Sequence, residues 1–302
     1  MLCCHSTCLN IHSEFSEELI KAFSSDFARR YLPSLALCTN CRSFDATVLW
    51  LRGEGFQVIS AAYSDYSEDL YVVSGSQPEP YVNEAPVFFL AQVLARAFAK
   101  KGYILLTDSV FVHTGSKGIL LLGYPHTGKS TIATILLSKG CTVVSTENTI
   151  VQPTGTELLV HGGTRMLVFD PKVKDLYGIK LEYPTKRTKH GYEVLDLDSV
   201  QALPKMSLKV NEIYVLHTSF TDTGANVVPV KGRKIGKTAW YFALGLLKGL
   251  DYYEPAPLDM PLTSSVLRTL RAFIEAVEKG YAEKFYEVFG SPFEVAKLVA
   301  TK

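Results

Sequence analysis

One nine-residue stretch limits the folds open to this chain more than any other. Residues 123–131 read GYPHTGKST and directly follow the apolar run GILLL at residues 118–122. The two glycines, the lysine and the serine satisfy the spacing G-x-x-x-x-G-K-[ST], a pattern that needs a strand before the loop and a helix after it. The sequence predicts both elements, with a helix over 129–139 that stops at Gly140. An α/β fold is therefore expected.

The loop between these elements predicts a phosphate-binding site. Its backbone amides and the N-terminus of the following helix form a concave anion site. Lys129 adds a charge for the β and γ phosphates, and the Ser130 hydroxyl is a ligand for Mg²⁺. The alternative is an ordinary glycine-containing turn. The prediction is ATP or another nucleoside triphosphate with Mg²⁺, bound by Gly123, Tyr124, Pro125, His126, Thr127, Gly128, Lys129, Ser130 and Thr131.

Phosphoryl transfer also needs an acid that holds the metal or orients the nucleophile. Glu147 follows the predicted strand at 142–145, the first strand after the loop helix. A right-handed strand–helix–strand crossover brings the end of that strand to the same sheet edge as the loop. We therefore expect Glu147 to hold Mg²⁺ together with Ser130. The predicted catalytic residues are Lys129, Glu147 and Asp108.

Two further acids end apolar runs, and each has a structural alternative. Asp108 lies within 103–113, which is predicted as one long strand, so it serves either as the catalytic base or as a bend in that strand. Asp170 is followed by Pro171 and a helical pattern, which an N-cap role explains without catalysis.

Composition excludes several classes of protein. The chain has 302 residues, of which 47% are hydrophobic, so disorder is not expected. Its net charge of +1 argues against nucleic-acid binding through bulk electrostatics. No apolar run is long enough for a membrane helix, and the N-terminus lacks the features of a signal peptide. A cytoplasmic protein with reduced cysteines is expected.

Turn formers in GSQPEP, residues 75–80, predict a boundary between two units. Residues 1–80 form an N-terminal α+β unit, and residues 81–302 form the domain that contains the phosphate loop. Arg165 and Arg187 lie in predicted loops and are candidates for a positively charged lid over the transferred group. The alternative for each is a solvated surface position.

Five cysteines lie close to the N-terminus and leave two interpretations open. Cys3, Cys4 and Cys8 precede the pair Cys38-x-x-Cys41, so a four-cysteine zinc site taking two residues from each cluster is one interpretation. In the other, Cys4 and Cys8 are small apolar residues on one face of a strand over residues 2–11.

Residues 106–151 resemble the core of the bacterial HPr kinase/phosphorylase family, which shares its fold with phosphoenolpyruvate carboxykinase. The resemblance rests on a strand hairpin, the phosphate loop, a helix ending in glycine, and a short strand ending in an acid. The family has two aspartates after the loop helix, which by position fall on Thr146 and Glu147. A family histidine before the loop falls on Thr107, and a loop position that is commonly glycine is His126.

This resemblance implies a P-loop domain with a mixed sheet and an enzyme that transfers the γ-phosphate of ATP to a hydroxyl group. The acceptor is a small molecule or a protein serine, without nucleic-acid or membrane partners. Members of the family often assemble into rings, so a homo-oligomer is allowed. Two alternatives stay open: a nucleotide-dependent switch or NTPase without an acceptor, and a nucleotide-binding module without turnover.

Overall fold

The computed structural model describes residues 1–33, 36–38, 41, 43–202, 206–221, 223–248 and 258–301. The described strands are, in chain order, β1 Leu2–Cys4, β2 Thr7–His12, β3 Ala36–Leu37, β4 Ala46–Leu51, β5 Phe56–Ala62, β6 Asp69–Gly75, β7 Ile104–Leu106, β8 Ser109–His113, β9 Gly118–Leu122, β10 Thr142–Ser145, β11 Thr149–Thr154, β12 Glu157–Gly163, β13 Met166–Phe169, β14 Lys186–Arg187, β15 Glu193–Asp196, β16 Leu208–Lys209, β17 Glu212–Thr218, β18 Ala225–Pro229 and β19 Phe285–Gly290. The described α-helices are α1 Ser16–Phe23, α2 Asp26–Tyr31, α3 Ala85–Lys100, α4 Lys129–Ser138, α5 Lys172–Tyr177, α6 Arg233–Lys248, α7 Ser264–Gly280 and α8 Pro292–Ala300.

The first sheet is built from residues 2–75 and has the order β3-β1-β2-β4-β6-β5. The residues predicted as one strand over 2–11 instead form a hairpin, in which β1 pairs antiparallel with β2. His5 occupies the turn with a φ of 51°, so the chain reverses where the sequence pattern suggested continuation. The sheet ends at Gly75, close to the boundary predicted at residue 80, which stays a prediction.

The central sheet carries the phosphate-loop sequence and has the order β10-β8-β9-β17-β19-β18. It is mixed, because β9 and β17 pair in parallel whereas β8 pairs antiparallel with both β9 and β10. Alternate residues of β9 face different cores: Leu120 and Leu122 join one cluster, and Ile119 and Leu121 join the other. This alternation is the two-residue period of a strand that is buried on both faces.

The long strand predicted over 103–113 is wrong, because Asp108 divides it. β7 pairs with β11 in a four-stranded sheet of order β16-β12-β11-β7, whereas β8 belongs to the central sheet. Asp108 has a φ of 52°, in the left-handed region that ends regular strand geometry. The chain therefore changes sheets directly before the phosphate-loop hairpin.

Helices cover both faces of the central sheet. α4 and α8 pack on one face, with the small sheet β13-β15-β14 beside α4. On the other face, one hydrophobic core is shared by α3, α6, α7 and the first sheet. The chain is thus a mixed α/β protein with several mixed sheets. Among the described helices, none combines the length and the apolar character that crossing a membrane requires.

Candidate functional site at the phosphate loop

The loop at 123–128 turns sharply between the buried strand β9 and helix α4. Gly128 has a φ of 77°, and a Cβ there would lie 2.8 Å from the Thr218 hydroxyl, so both conformation and space favour glycine. The same hydroxyl donates to the Thr127 carbonyl at 2.6 Å and holds the loop against the end of β17. His126 also adopts a left-handed φ of 66°, which costs a non-glycine residue roughly 1–2 kcal/mol.

Lys129 is the first residue of α4, and its ammonium group points back into the loop. The side chain is only 6% exposed. Its Nζ donates to the carbonyl oxygens of Gly123 and Tyr124 at 2.6 and 3.0 Å. Nζ also lies 3.1 Å from Oδ1 of Asp108, whose side chain is 10% exposed. The lysine therefore closes the loop on itself and neutralises Asp108.

Glu147 faces this loop from the end of β10, as the crossover argument predicted. β10 runs parallel to β9, although β8 lies between them. The Glu147 carbonyl accepts the amide of Ser109 at 2.9 Å, and the Asp108 carbonyl accepts the amide of Gly123 at 3.1 Å. These backbone bonds fix the two acids and the loop at one edge of the sheet.

The Glu147 carboxylate is paired with an arginine from the N-terminal unit. Nη2 of Arg30 lies 3.0 Å from Oε1 of Glu147, and Arg30 Nε donates to the same oxygen at 3.3 Å. Although burial lowers the pKa of Arg30, the Glu147 carboxylate raises it to a net value above the ordinary one. Arg30 is therefore charged at neutral pH.

Three ion pairs hold α2 in position so that Arg30 can reach the loop. The neighbouring Arg29 pairs with Asp196 at 2.7 Å and with Asp198 at 3.2 Å. Lys186 pairs with Asp26 at 2.7 Å. In addition, Nδ2 of Asn148 donates to the carbonyl of Tyr31 at 2.6 Å. Both ends of this short helix are thus tied to the later part of the chain.

The family aspartate pair falls by position on Thr146 and Glu147, and of these two Glu147 lines the cavity. Thr146 is buried, and its hydroxyl donates to the Met166 carbonyl at 3.0 Å instead of facing the loop. The side chains that line the cavity are Glu147 and Asn148. The pairing register of β10 with β8 shifts between Val143 and Ser145, just before these residues.

These groups surround one cavity of about 860 Å³, within the range of small-molecule sites. Asp170 also lines it, while its Oδ1 accepts the Lys172 amide at 2.9 Å, so it supports the start of α5 as well. The predicted residues that line the cavity are Asp108, Pro125, His126, Thr127, Gly128, Lys129, Ser130, Thr131, Glu147 and Asp170. Such a set is suited to hold a polyphosphate and a divalent cation.

Arg165, predicted as part of a lid, is wrong for that role. It is 2% exposed, and its guanidinium donates to the carbonyls of Val143, Leu197 and Gln201. Its function is to hold β10 against the segment after β15. Arg187 is exposed on β14 and is not among the residues that line the cavity, so its role as a lid stays a prediction.

The contribution of residues 30–88 to this cavity was not predicted from the sequence. The lining residues from this range are Arg30, Tyr31, Tyr81, Val82, Glu84 and Phe88. Burial raises the pKa of Tyr31, which keeps this phenol neutral beside Arg30. The local signal was only a pair of arginines at the end of a short helix, and nothing in their sequence context pointed to a residue more than a hundred positions away.

Comparison with known proteins adds no assignment. No protein-family model matches the chain, and no curated protein matches it.

Proposed function

We propose that this protein is an ATP-dependent phosphotransferase that moves the γ-phosphate to a hydroxyl group. The observation that supports this most is the content of one cavity. Lys129 and Ser130 from the loop, Glu147 and Asp108 from the sheet edge, and Arg30 from α2 all line it. These are the types of residue that phosphoryl transfer uses: a loop with amides, a metal-binding acid, a base and a mobile cation.

In the proposed mechanism, the triphosphate binds to the loop amides and the N-terminus of α4. Gly128 caps this helix without a side-chain hydrogen bond, which leaves the first-turn amides available to phosphate oxygens. Lys129 exchanges the carbonyls of Gly123 and Tyr124 for the β and γ phosphates. Ser130 and Glu147 would hold Mg²⁺, which when bound neutralises charge on the phosphates.

Arg30 and Asp108 complete the proposed chemistry. If Glu147 held Mg²⁺, Arg30 would lose its ion-pair partner, and its guanidinium would move onto the transferring phosphoryl group and stabilise its charge. Movement of Lys129 toward the phosphates breaks its ion pair with Asp108, and the Asp108 carboxylate accepts the proton of the acceptor hydroxyl as it attacks. Arg30 thus replaces the lid that the sequence analysis assigned to Arg165.

The finer fold assignment belongs to the same proposal. The phosphate-loop sequence lies between β9 and α4, and β9 is the second strand of a hairpin in a mixed sheet. This arrangement supports a P-loop domain of the HPr kinase and phosphoenolpyruvate carboxykinase type. In this proposal residues 81–302 form the kinase-like domain, and the N-terminal unit of residues 1–80 supplies Arg30 to its site. The proposed setting is the cytoplasm.

The test follows γ-labelled ATP with Mg²⁺ in a cell extract that is separated into metabolite and protein fractions. Lys129→Met should abolish transfer. The matched control is Lys237→Met, because Lys237 lies in a second GKT sequence within α6, is itself exposed, and is not among the residues that line the cavity. Label in a metabolite or in a protein, lost only in the first variant, supports the proposal and identifies the acceptor class. Release of free phosphate alone would favour the nucleotide switch, and binding without turnover would favour the structural module.

A further inference from the structure

Four cysteines meet at the edge of the first sheet, far along the chain from the phosphate loop. Cys3 and Cys8 are directly opposite each other in the β1–β2 hairpin. Cys38 and Cys41 follow β3, which pairs with β1. All four Sγ atoms lie within 4.8 Å of one another. Three parts of the chain therefore converge on a single sulfur cluster.

The hairpin separates these cysteines from Cys4. Cys4 is buried in the core, where desolvation raises the pKa of its thiol to about 12. Cys3 and Cys8 lie on the opposite face and are half-buried. The interpretation that Cys4 and Cys8 share a strand face is thus wrong, because the turn at His5 and Ser6 reverses the chain between them.

Distances between the sulfurs indicate one site rather than two separate cross-links. In the structure the sulfurs pair as Cys3–Cys38 and Cys8–Cys41, and this arrangement competes with metal binding. Across the two pairs, Cys3 lies 3.5 Å from Cys8 and 3.2 Å from Cys41, and Cys38 lies 3.3 Å from Cys41. Two disulfides do not require such contact. Four thiolates around zinc do, since a Zn–S bond of about 2.3 Å places the sulfurs about 3.8 Å apart.

We propose that Cys3, Cys8, Cys38 and Cys41 bind one Zn²⁺ ion as thiolates. The Cys-x-x-Cys spacing of the second pair is typical of zinc ligands. Binding replaces four thiol protons with one metal ion and needs neither an oxidant nor a reductant. The hairpin turn is held in place beside the cluster: Asp45 accepts the Cys8 amide and lies 2.7 Å from the Lys101 ammonium group, which also contacts the carbonyl of Ser6.

The site is structural, because four protein sulfurs leave no position for water or substrate. It joins the segment after α2 to the hairpin at the sheet edge. That edge otherwise consists of the two-residue strand β3. The metal would therefore hold the segment that follows α2 against the hairpin, independently of whether the protein is a kinase.

The experiment is metal analysis of the full chain, purified without reductant and without oxygen from cells grown with zinc. We expect one zinc per chain. After denaturation with a chelator, we expect all six cysteines of the sequence to react with a thiol reagent. Two reactive thiols and no zinc would overturn the proposal in favour of the disulfides Cys3–Cys38 and Cys8–Cys41. Six reactive thiols and no zinc would overturn it as well.

Variants assign the ligands. Cys4→Ala and Cys141→Ala remove buried cysteines outside the cluster, so they should keep one zinc per chain. Cys38→Ser should lose it. If that variant does not fold, Co²⁺ exchanged into the unmodified protein replaces the readout, with tetrahedral tetrathiolate absorption expected. An octahedral spectrum, or the loss of zinc from the Cys4→Ala variant, would contradict the assignment.

Discussion

The contact between Lys129 and Asp108 yields a stability prediction that does not depend on finding a substrate. Both side chains are almost fully buried, at 6% and 10% exposure, and their charged atoms lie 3.1 Å apart. Removing one partner of a buried pair costs about 3–5 kcal/mol, because the other charge loses its compensation. Lys129→Met also removes hydrogen bonds to two loop carbonyls, which adds about 1 kcal/mol for each.

We therefore expect Lys129→Met to lower the free energy of unfolding by about 5–7 kcal/mol. Asp108→Asn is the suitable partner variant, because asparagine tolerates the left-handed conformation at this position. The double variant removes both charges, so its loss should be smaller than the sum of the single losses by about 1–3 kcal/mol.

The assay is urea unfolding of the three variants and the unmodified protein at neutral pH, followed by far-ultraviolet circular dichroism. Additive losses, within about 0.5 kcal/mol, would refute the reasoning that these two charges compensate each other. The outcome also determines how activity is compared. If the losses are not additive, the turnover of Lys129→Met must be measured at urea concentrations and temperatures at which this variant is still folded.

Three further predictions test other parts of the site. Arg30→Gln should lower kcat by about 100- to 1,000-fold and change nucleotide affinity by less than tenfold, because Arg30 is proposed to act on the transferring group. Turnover assays and binding titrations measure the two quantities. Gly163→Ala should lower the free energy of unfolding by about 1–3 kcal/mol and also reduce kcat, since its new Cβ would lie 2.2 Å from the Asn148 carbonyl beside Glu147. Cys4 should resist alkylation at pH 8 in the folded protein, as mass spectrometry of the peptides would report, because its thiol has a pKa of about 12 and is buried.

Each of these predictions has a contrasting result. Arg52→Gln, an exposed arginine that pairs with Glu18, should leave kcat unchanged, and equal losses in both arginine variants would remove the special role of Arg30. Gly224→Ala adds a Cβ into open space and should keep normal stability, so a similar loss there would argue against a steric cause at Gly163. Rapid alkylation of Cys4 would contradict its position in the core.

The local parts of the site could be predicted, and the parts that depend on distant packing could not. The loop at 123–131 and helix α4 follow from spacing and hydrophobicity within one short window, and the sequence predicted both. The position of Glu147 at the same sheet edge as the loop followed from the right-handedness of one strand–helix–strand crossover. Asp108 was predicted to lie within one long strand. Its left-handed φ occurs where the chain passes from one sheet to another, and no local sequence pattern encodes such a change of sheet.

The error at Arg165 has the same origin. A buried arginine that binds carbonyls has the same sequence signature as an exposed one in a loop, and only tertiary contacts distinguish them.

The salt bridge between Arg30 and Glu147 spans 117 positions of the chain, whereas Lys129 and the carbonyls it contacts are at most six positions apart. Under the proposed function, nucleotide affinity and turnover therefore report on different degrees of native assembly. Consider a preparation in which the loop hairpin and its helix have formed but α2 has not docked. Its protein will bind to an ATP affinity column and will show little phosphoryl transfer. Specific activity, and not nucleotide binding, is thus the measure of correctly folded protein after refolding. The same holds after limited proteolysis near residue 80, the boundary predicted after the segment that contains α2.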